Sequence, residues 1–404
     1  MASPTRHSTR DADPALAWVA HLRAGGTEPW TSWRARHDDA PVGASSPAAS
    51  RTPSAYVPGA QQLELLRRLN LAARAGRVAP PPALVERVVN ASAPGRGIPD
   101  LPLMGTVPGP HRFGPRPVDP AELAAGELVR VASGLLAEDL VAAGVPPEAS
   151  APAGFRRPWA PSYRISGDPW LVWPVVSQLG RRGRGPGGRR PQWVVVGTDL
   201  PTMLTHAWVV RSLDSSAIGW DDWLTNLRGV RSLPRRADTL GAVHRAIAHV
   251  GAERVTVVLD PARVPRVLGT RRRVRPMPPL GANAADLARR VAAPLGGLVL
   301  PDHRAELLRH TLLPRLLRLG DLGGRPLAVP PEHTRWVARR AARVRRGLLA
   351  TGCAVVGDPD VLLRRPEGRD LQDRPDDQGM LDLALRLLLT PEDDRSTEKG
   401  PTPG

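Results

Sequence analysis

The chain has 404 residues, of which 41% are hydrophobic, enough for two domains or one large one with a sizeable core. It carries 56 Lys+Arg against 39 Asp+Glu, a formal charge of +17, so an anionic partner is expected: a phosphorylated or otherwise acidic small molecule, nucleic acid, or an acidic macromolecule. Lys399 is the only lysine, which excludes a P-loop lysine, a Schiff-base lysine and the strand lysine of protein kinases from the body of the chain.

GC-rich codon usage accounts for Arg replacing Lys and for abundant Ala, Gly and Pro, but not for the shortage of acids. The single cysteine, Cys353, rules out an intrachain disulfide and a cysteine metal cluster. No run approaches the ~20 apolar residues of a membrane span. The start shows no signal peptide, so a cytoplasmic location is expected.

Residues 1–57 are rich in Ala, Pro, Ser, Arg and Asp without a sustained period and are expected to be disordered, with a short docking element at Leu16–Leu22 and Trp30/Trp33. Residues 58–150 read as a helical segment. Leu63, Leu66 and Leu69 recur at helical spacing, and Gly76 closes that helix. Pro82–Asn90 follows with Val85, Val88 and Val89 inward. Asp119, Pro120 and Glu122 open a third helix with Leu128, Val131, Leu135 and Val141 on its apolar face, ending at Gly144.

Residues 158–390 alternate short apolar strands with helices. Strands are predicted at 163–166, 193–197 (WVVVG), 255–259 (VTVVL), 298–300 and 354–356. Helices are predicted at 201–213, 220–228, 236–250, 283–294, 302–318, 334–350 and 378–389. This pattern predicts an α/β fold with a mainly parallel sheet covered by helices. The tail 391–404 is expected to be disordered.

Four acids follow strands: Asp168, Asp199, Asp260 and Asp358. Ligands in open parallel sheets bind outside the carboxyl ends of strands, so the four carboxylates are placed around one crevice. Asp168, Asp260 and Asp358 each precede a proline, the signature of a helix cap. Asp199 does not, and is the functional candidate among them. The run Gly183-Arg-Gly185-Pro-Gly187-Gly188 follows a helix and precedes a strand, the reverse of a dinucleotide fingerprint, and reads as a basic surface loop. His303 and His310 stand too far apart for one metal; His244 and His249 are likewise poorly spaced. Trp208, Trp220 and Trp223 read as core, and Cys353 as a small core residue. No metal and no cofactor is assigned.

WVVVGTDLPTMLTHAW (193–208), GWDDWL (219–224), ERVTVVLD (253–260), VPPEHTRWVARRA (329–341) and CAVVGDPDVLL (353–363) together resemble the bacterial sulfotransferases over about half the chain. The resemblance implies their α/β fold and a site for a phosphorylated ligand at the end of the WVVVG strand. Thr198 stands where the family has its phosphate-binding Arg, Thr205 or His206 near its Ser, and Ser166-Gly167-Asp168 where a Lys-containing phosphate loop would be. Weak or no binding of the sulfuryl donor follows: the cofactor site is lost, or a different anion is bound. Thr198, Asp199, Thr205, His206 and Arg211 are the candidate ligand-binding residues. The other reading is a basic, non-catalytic scaffold docking on nucleic acid or an acidic protein. Arg335, Arg339, Arg343 and Arg346 form a stripe opposite the predicted buried stripe Val337, Ala341, Val344 and Leu348, either a solvated face or an anion contact.

Overall fold

The structure, a computed structural model, describes residues 14–38, 57–91, 100–106, 115–147, 162–188, 191–215, 218–230, 232–270, 273–365, 371–372 and 374–390. Two compact units emerge, residues 1–139 with 381–404, and residues 140–380. The expected disorder at 1–13, 39–56 and 391–404 lies outside the described residues.

The first unit is helical: α1 (Pro14–Arg23), α2 (Trp30–Asp38), α3 (Ala60–Ala75), α4 (Pro82–Asn90), most of α5 (Ala125–Ala143) and the later part of the chain's last helix. Within the tract expected to be mostly disordered, the short docking element expected at Leu16–Leu22 and Trp30/Trp33 forms two helices that extend over Pro14–Arg23 and Trp30–Asp38. Trp18, Leu22 and Trp30 supply the reason, since all three are buried. The Trp18 indole donates to the Glu28 carbonyl and the Trp30 indole to the Met104 carbonyl, so both large side chains bury area without orphaning a polar group. Asn70 ties the segment to α3 by donating to the carbonyls of Leu22 and Gly26. Buried Glu64 accepts from Arg67 and Arg68, one turn away. Asp119 caps as expected, but through Ala121 N onto a short 3-10 turn, Pro120–Glu122; Leu123 is extended and the α-helix starts only at Ala125. Val141, expected inward, is exposed.

The second unit holds a four-stranded, wholly parallel sheet in the order β1 (Tyr163–Gly167), β2 (Gln192–Val196), β3 (Val255–Val258), β4 (Ala354–Val356). Its helices are α6 (Pro169–Gly180), α7 (Leu200–Ser212), α8 (Trp220–Gly229), α9 (Thr239–Val250), α10 (Val264–Val267), α11 (Ala282–Leu295), α12 (Pro301–Glu306), α13 (Leu313–Arg318), α14 (Pro331–Ala350) and the start of α15 (Asp377–Leu389). The register sets Val194 beside Ile165 and Val196 beside Val258. On that face Val175 and Leu179 of α6 and Val264 and Leu268 close a core with Tyr163, Val194, Val196 and Val258. On the other face Trp193 meets His249 of α9 and donates to the Ser166 hydroxyl. Burial on both faces explains why the two central strands, β2 and β3, are nearly continuous apolar runs.

Residues 298–300, expected as a strand, form a turn between α11 and α12. Leu298 and Leu300 are exposed, so no neighbour rewards an extended backbone there. Between α12 and α13 the helix widens to a π turn, Leu307–Leu312. Pro314 lacks an N–H to continue the α pattern, and the wide turn directly precedes it. The glycine run 183–188 is a surface loop. It is stitched to β1 by the Tyr163 hydroxyl on the Arg184 carbonyl and the Ser162 hydroxyl on the Gly187 carbonyl. Trp208, Trp220 and Trp223 are core residues, while Cys353 is only half-buried. No helix among the described residues is long and apolar enough to cross a membrane.

Candidate functional site

Each strand of the sheet leads into a carboxylate that caps the next turn. Asp168 accepts from Trp170 N at 2.9 Å, Asp199 from Thr202 N at 2.8 Å, Asp260 from Ala262 N at 3.1 Å and Asp358 from Asp360 N at 2.9 Å. The first, third and fourth are the expected caps. Asp199 is a correction: it too is a cap, with Pro201 inside the first turn of α7 in place of a proline directly after the acid. Among the described residues its other oxygen has only the Thr198 hydroxyl, at 3.4 Å. Thr198 and Asp199 therefore serve the helix start.

Asp168 does more. Its second carboxylate oxygen lies 2.6 Å from Nδ1 of His206, and its side chain is fully buried. Gly167 makes this possible. Its φ of 112° turns the chain sharply at the end of β1, and a Cβ there would fall 2.0 Å from the Val196 carbonyl oxygen. Asp168 N then donates to that same carbonyl, fixing the carboxylate between β1 and the start of α7.

Thr202, Thr205, His206 and Val209 fall on one face of α7 and line a cavity of about 460 Å³. Trp170 faces them, its ring 6.0 Å from His206 and nearly parallel. Leu280, Pro326 and Leu327 make much of the remaining wall. The Trp170 indole N–H is buried without a partner. In the neutral imidazole, an Nδ1–H directed at Asp168 leaves the lone pair on Nε2, which meets no protein group among the described residues. The Thr205 hydroxyl donates to the Thr202 carbonyl at 2.8 Å, so its proton is already placed. The pocket therefore offers a proton acceptor and apolar walls but no protein nucleophile bonded to His206. Of the five expected site residues, Thr205 and His206 line this cavity. Thr198, Asp199 and Arg211 do not; Arg211 is exposed near the far end of α7.

A second concavity, about 630 Å³, adjoins the first and shares Thr334 and Arg365 with it. Arg228, Arg335, Arg339 and Trp336 line it as well. The expected buried stripe of α14, Val337, Ala341, Val344 and Leu348, is buried, and Arg335, Arg339, Arg343 and Arg346 are exposed. Desolvation lowers the pKa of Arg340, and the neighbouring Arg343 cation lowers it further. Asp221, Glu332 and His333 bring three ligand-type atoms within 4.8 Å of one another. Arg374 already bonds both carboxylates there, at 3.5 and 2.9 Å, so the group is a salt-bridged brace between α8 and α14.

No protein-family model matches the chain, and no curated protein or solved structure matches it at a significant level. The sequence placed Asp168 at the crevice as one of four carboxylates and read it as a cap, without its contact to His206. The signal for its second role was the pairing of an acid at the end of β1 with a histidine on the helix after the neighbouring strand, a juxtaposition that exists only once the strand order is known.

Proposed function

We propose that the α/β unit binds a small molecule with an apolar body and a hydroxyl group, and uses His206 as the base in transfer of a group to that hydroxyl. The observation that carries this is the Asp168–His206 pair opening onto the apolar cavity. Asp168 fixes the imidazole's tautomer and direction, so Nε2 points its lone pair where a ligand oxygen can lie. As that oxygen bonds to the transferred group, its proton passes to Nε2 and the leaving group departs with its electron pair. Group transfer is also what the sulfotransferase resemblance implies. The family's anchors are replaced, however, and every helix or 3-10 turn that follows a strand already holds its own carboxylate. Both features support weak or no binding of the sulfuryl donor.

The test uses aromatic alcohols as acceptors with a panel of sulfuryl, phosphoryl and acyl donors, comparing the native chain with His206→Asn. The Asn amide keeps a donor toward Asp168 and removes only Nε2. Binding of the alcohol should persist and turnover should fall by about 10²–10⁴-fold. Equal turnover in the variant, or no alcohol binding to the native chain, overturns the proposal.

A further inference from the structure

Within the α/β unit most arginines that approach one another are neutralised. Arg236 and Arg309 share Asp214, Arg289 and Arg290 share Asp286, Arg345 has Asp360, and Arg374 has Glu332 and Asp221. The basin beside the apolar cavity differs. Arg228, Arg335, Arg339 and Arg365 line one concavity, and none of the four has an ion pair or hydrogen bond among the described residues. The one carboxylate in that lining, Glu332, is bonded to Arg374. Trp336 forms part of the wall, and its indole N–H is buried with no partner. A solvated face would spread its charges outward; here they converge on a space large enough for a charged group and the atoms next to it. The fork geometry of guanidinium suits the several oxygens of a phosphate or sulfate.

We infer that this basin is the anion subsite of the α/β unit, taking a phosphomonoester-type dianion. The shared Thr334 and Arg365 allow the same molecule to run its apolar body into the neighbouring cavity. That last step rests on the function proposed above; anion binding in the basin does not. The assignment moves the expected phosphorylated ligand away from the strand ends and onto the first turns of α14.

Calorimetry on the full chain with 1-naphthyl phosphate, inorganic phosphate, 1-naphthol and a short DNA duplex separates the alternatives. The expected order is naphthyl phosphate tighter than either phosphate or naphthol alone. Arg335→Gln with Arg339→Gln should weaken naphthyl phosphate and phosphate about tenfold or more and leave naphthol unchanged. The melting temperature should stay level or rise, because like charges four residues apart are removed. Unchanged phosphate and naphthyl phosphate affinity in the double variant overturns the anion subsite. DNA binding that falls steeply between about 50 and 200 mM salt, with no naphthyl phosphate binding, overturns it in favour of a nucleic-acid face. Phosphate binding that is lost in the variant, with no naphthol binding at all, supports the basin and sinks the apolar acceptor pocket.

Discussion

The ends of β1 and β2 are built from the same parts and end up with different chemistry. Each runs into a glycine, then an acid, then a helix, and each acid gives one oxygen to an amide in the first turn of its helix. At β2 an extra residue, Thr198, separates Gly197 from Asp199, and the spare carboxylate oxygen is left near the Thr198 hydroxyl. At β1 the acid follows Gly167 directly, the backbone turns at positive φ, and the spare oxygen meets His206 across the strand boundary. Spacing alone does not decide this, since Asp358 also follows a positive-φ glycine and has no histidine among the described residues; a second role needs both the direct glycine–acid step and a histidine within reach of the spare oxygen. A carboxylate has two acceptor oxygens, and a first-turn amide occupies one of them.

Alanine at the two glycines is the sharpest way to break the comparison. A Cβ on Gly167 meets backbone atoms of β2 at 2.0 and 2.8 Å, and its φ strains any L residue. Gly167→Ala should cost about 4 kcal/mol, combining backbone strain with overpacking against atoms that cannot rotate away. A Cβ on Gly197 meets the Thr239 hydroxyl at 2.9 Å and the Met203 sulfur at 3.4 Å, both on side chains. Gly197→Ala should cost about 1 kcal/mol. Urea unfolding of the two variants checks the ranking; equal losses would mean that the β1 turn is not the strained one.

The acids come next. Asp168→Ala removes a cap and strands a buried amide and an imidazole N–H, so a loss of about 3 kcal/mol is expected. Asp199→Ala removes a half-exposed cap and should cost about 1 kcal/mol. Asp168→Asn sharpens the contrast. It keeps an acceptor and the shape of the side chain, so most of the stability should survive. The neutral amide no longer dictates which nitrogen of His206 carries the proton, so the nitrogen-15 spectrum of the imidazole should shift to a mixture of tautomers. An unchanged tautomer in Asp168→Asn would mean that the carboxylate does not orient the ring.

The sheet was legible because buried parallel strands must be apolar throughout, and WVVVG and VTVVL leave no other reading. Capping was legible wherever acid and proline adjoin, and misled at Asp199, where the proline sits two residues on. The strand expected at 298–300 failed because Leu298 and Leu300 have no neighbours that bury them, whereas the equally short Ala354–Val356 pairs with β3. The helices at 14–38 were only partly legible, as a docking element at Leu16–Leu22 and Trp30/Trp33. Their composition is that of a disordered tract, and two indoles that each find a distant carbonyl hold them in place. Thr205 and His206 were reachable from their place on α7. The Asp168 contact was not, and of the basin only Arg335 and Arg339 were, as part of the α14 stripe; Arg228 and Arg365 lie far off in the chain and only the strand order and loop paths bring them there.

The same dependence on neighbours separates two histidines. His206 is given a carboxylate; His310, on the π turn, is given a guanidinium. Although His310 lies at the surface, partial desolvation lowers its pKa from the usual 6.5, Arg309 lowers it further, and Glu306 raises it by less. Arg309 is held in place by Asp214 and stacks over Trp173, so its charge cannot swing away. Arg309→Gln should therefore move the His310 titration, followed by NMR, up toward 6.5, while Glu306→Gln moves it down. The larger cause, desolvation, should keep the Arg309→Gln midpoint below the ordinary value. The linkage to stability has a definite sign. The unfolded chain binds this proton more readily than the folded one, so unfolding takes up a proton as the pH drops below about 6.5. The contribution is complete above that pH and is lost as the pH falls through the lower, folded-state value. His310→Gln should flatten that part of the acid limb and leave stability at pH 8 nearly unchanged. A native midpoint at or above 6.5 would show that neither the desolvation nor the guanidinium governs this ring.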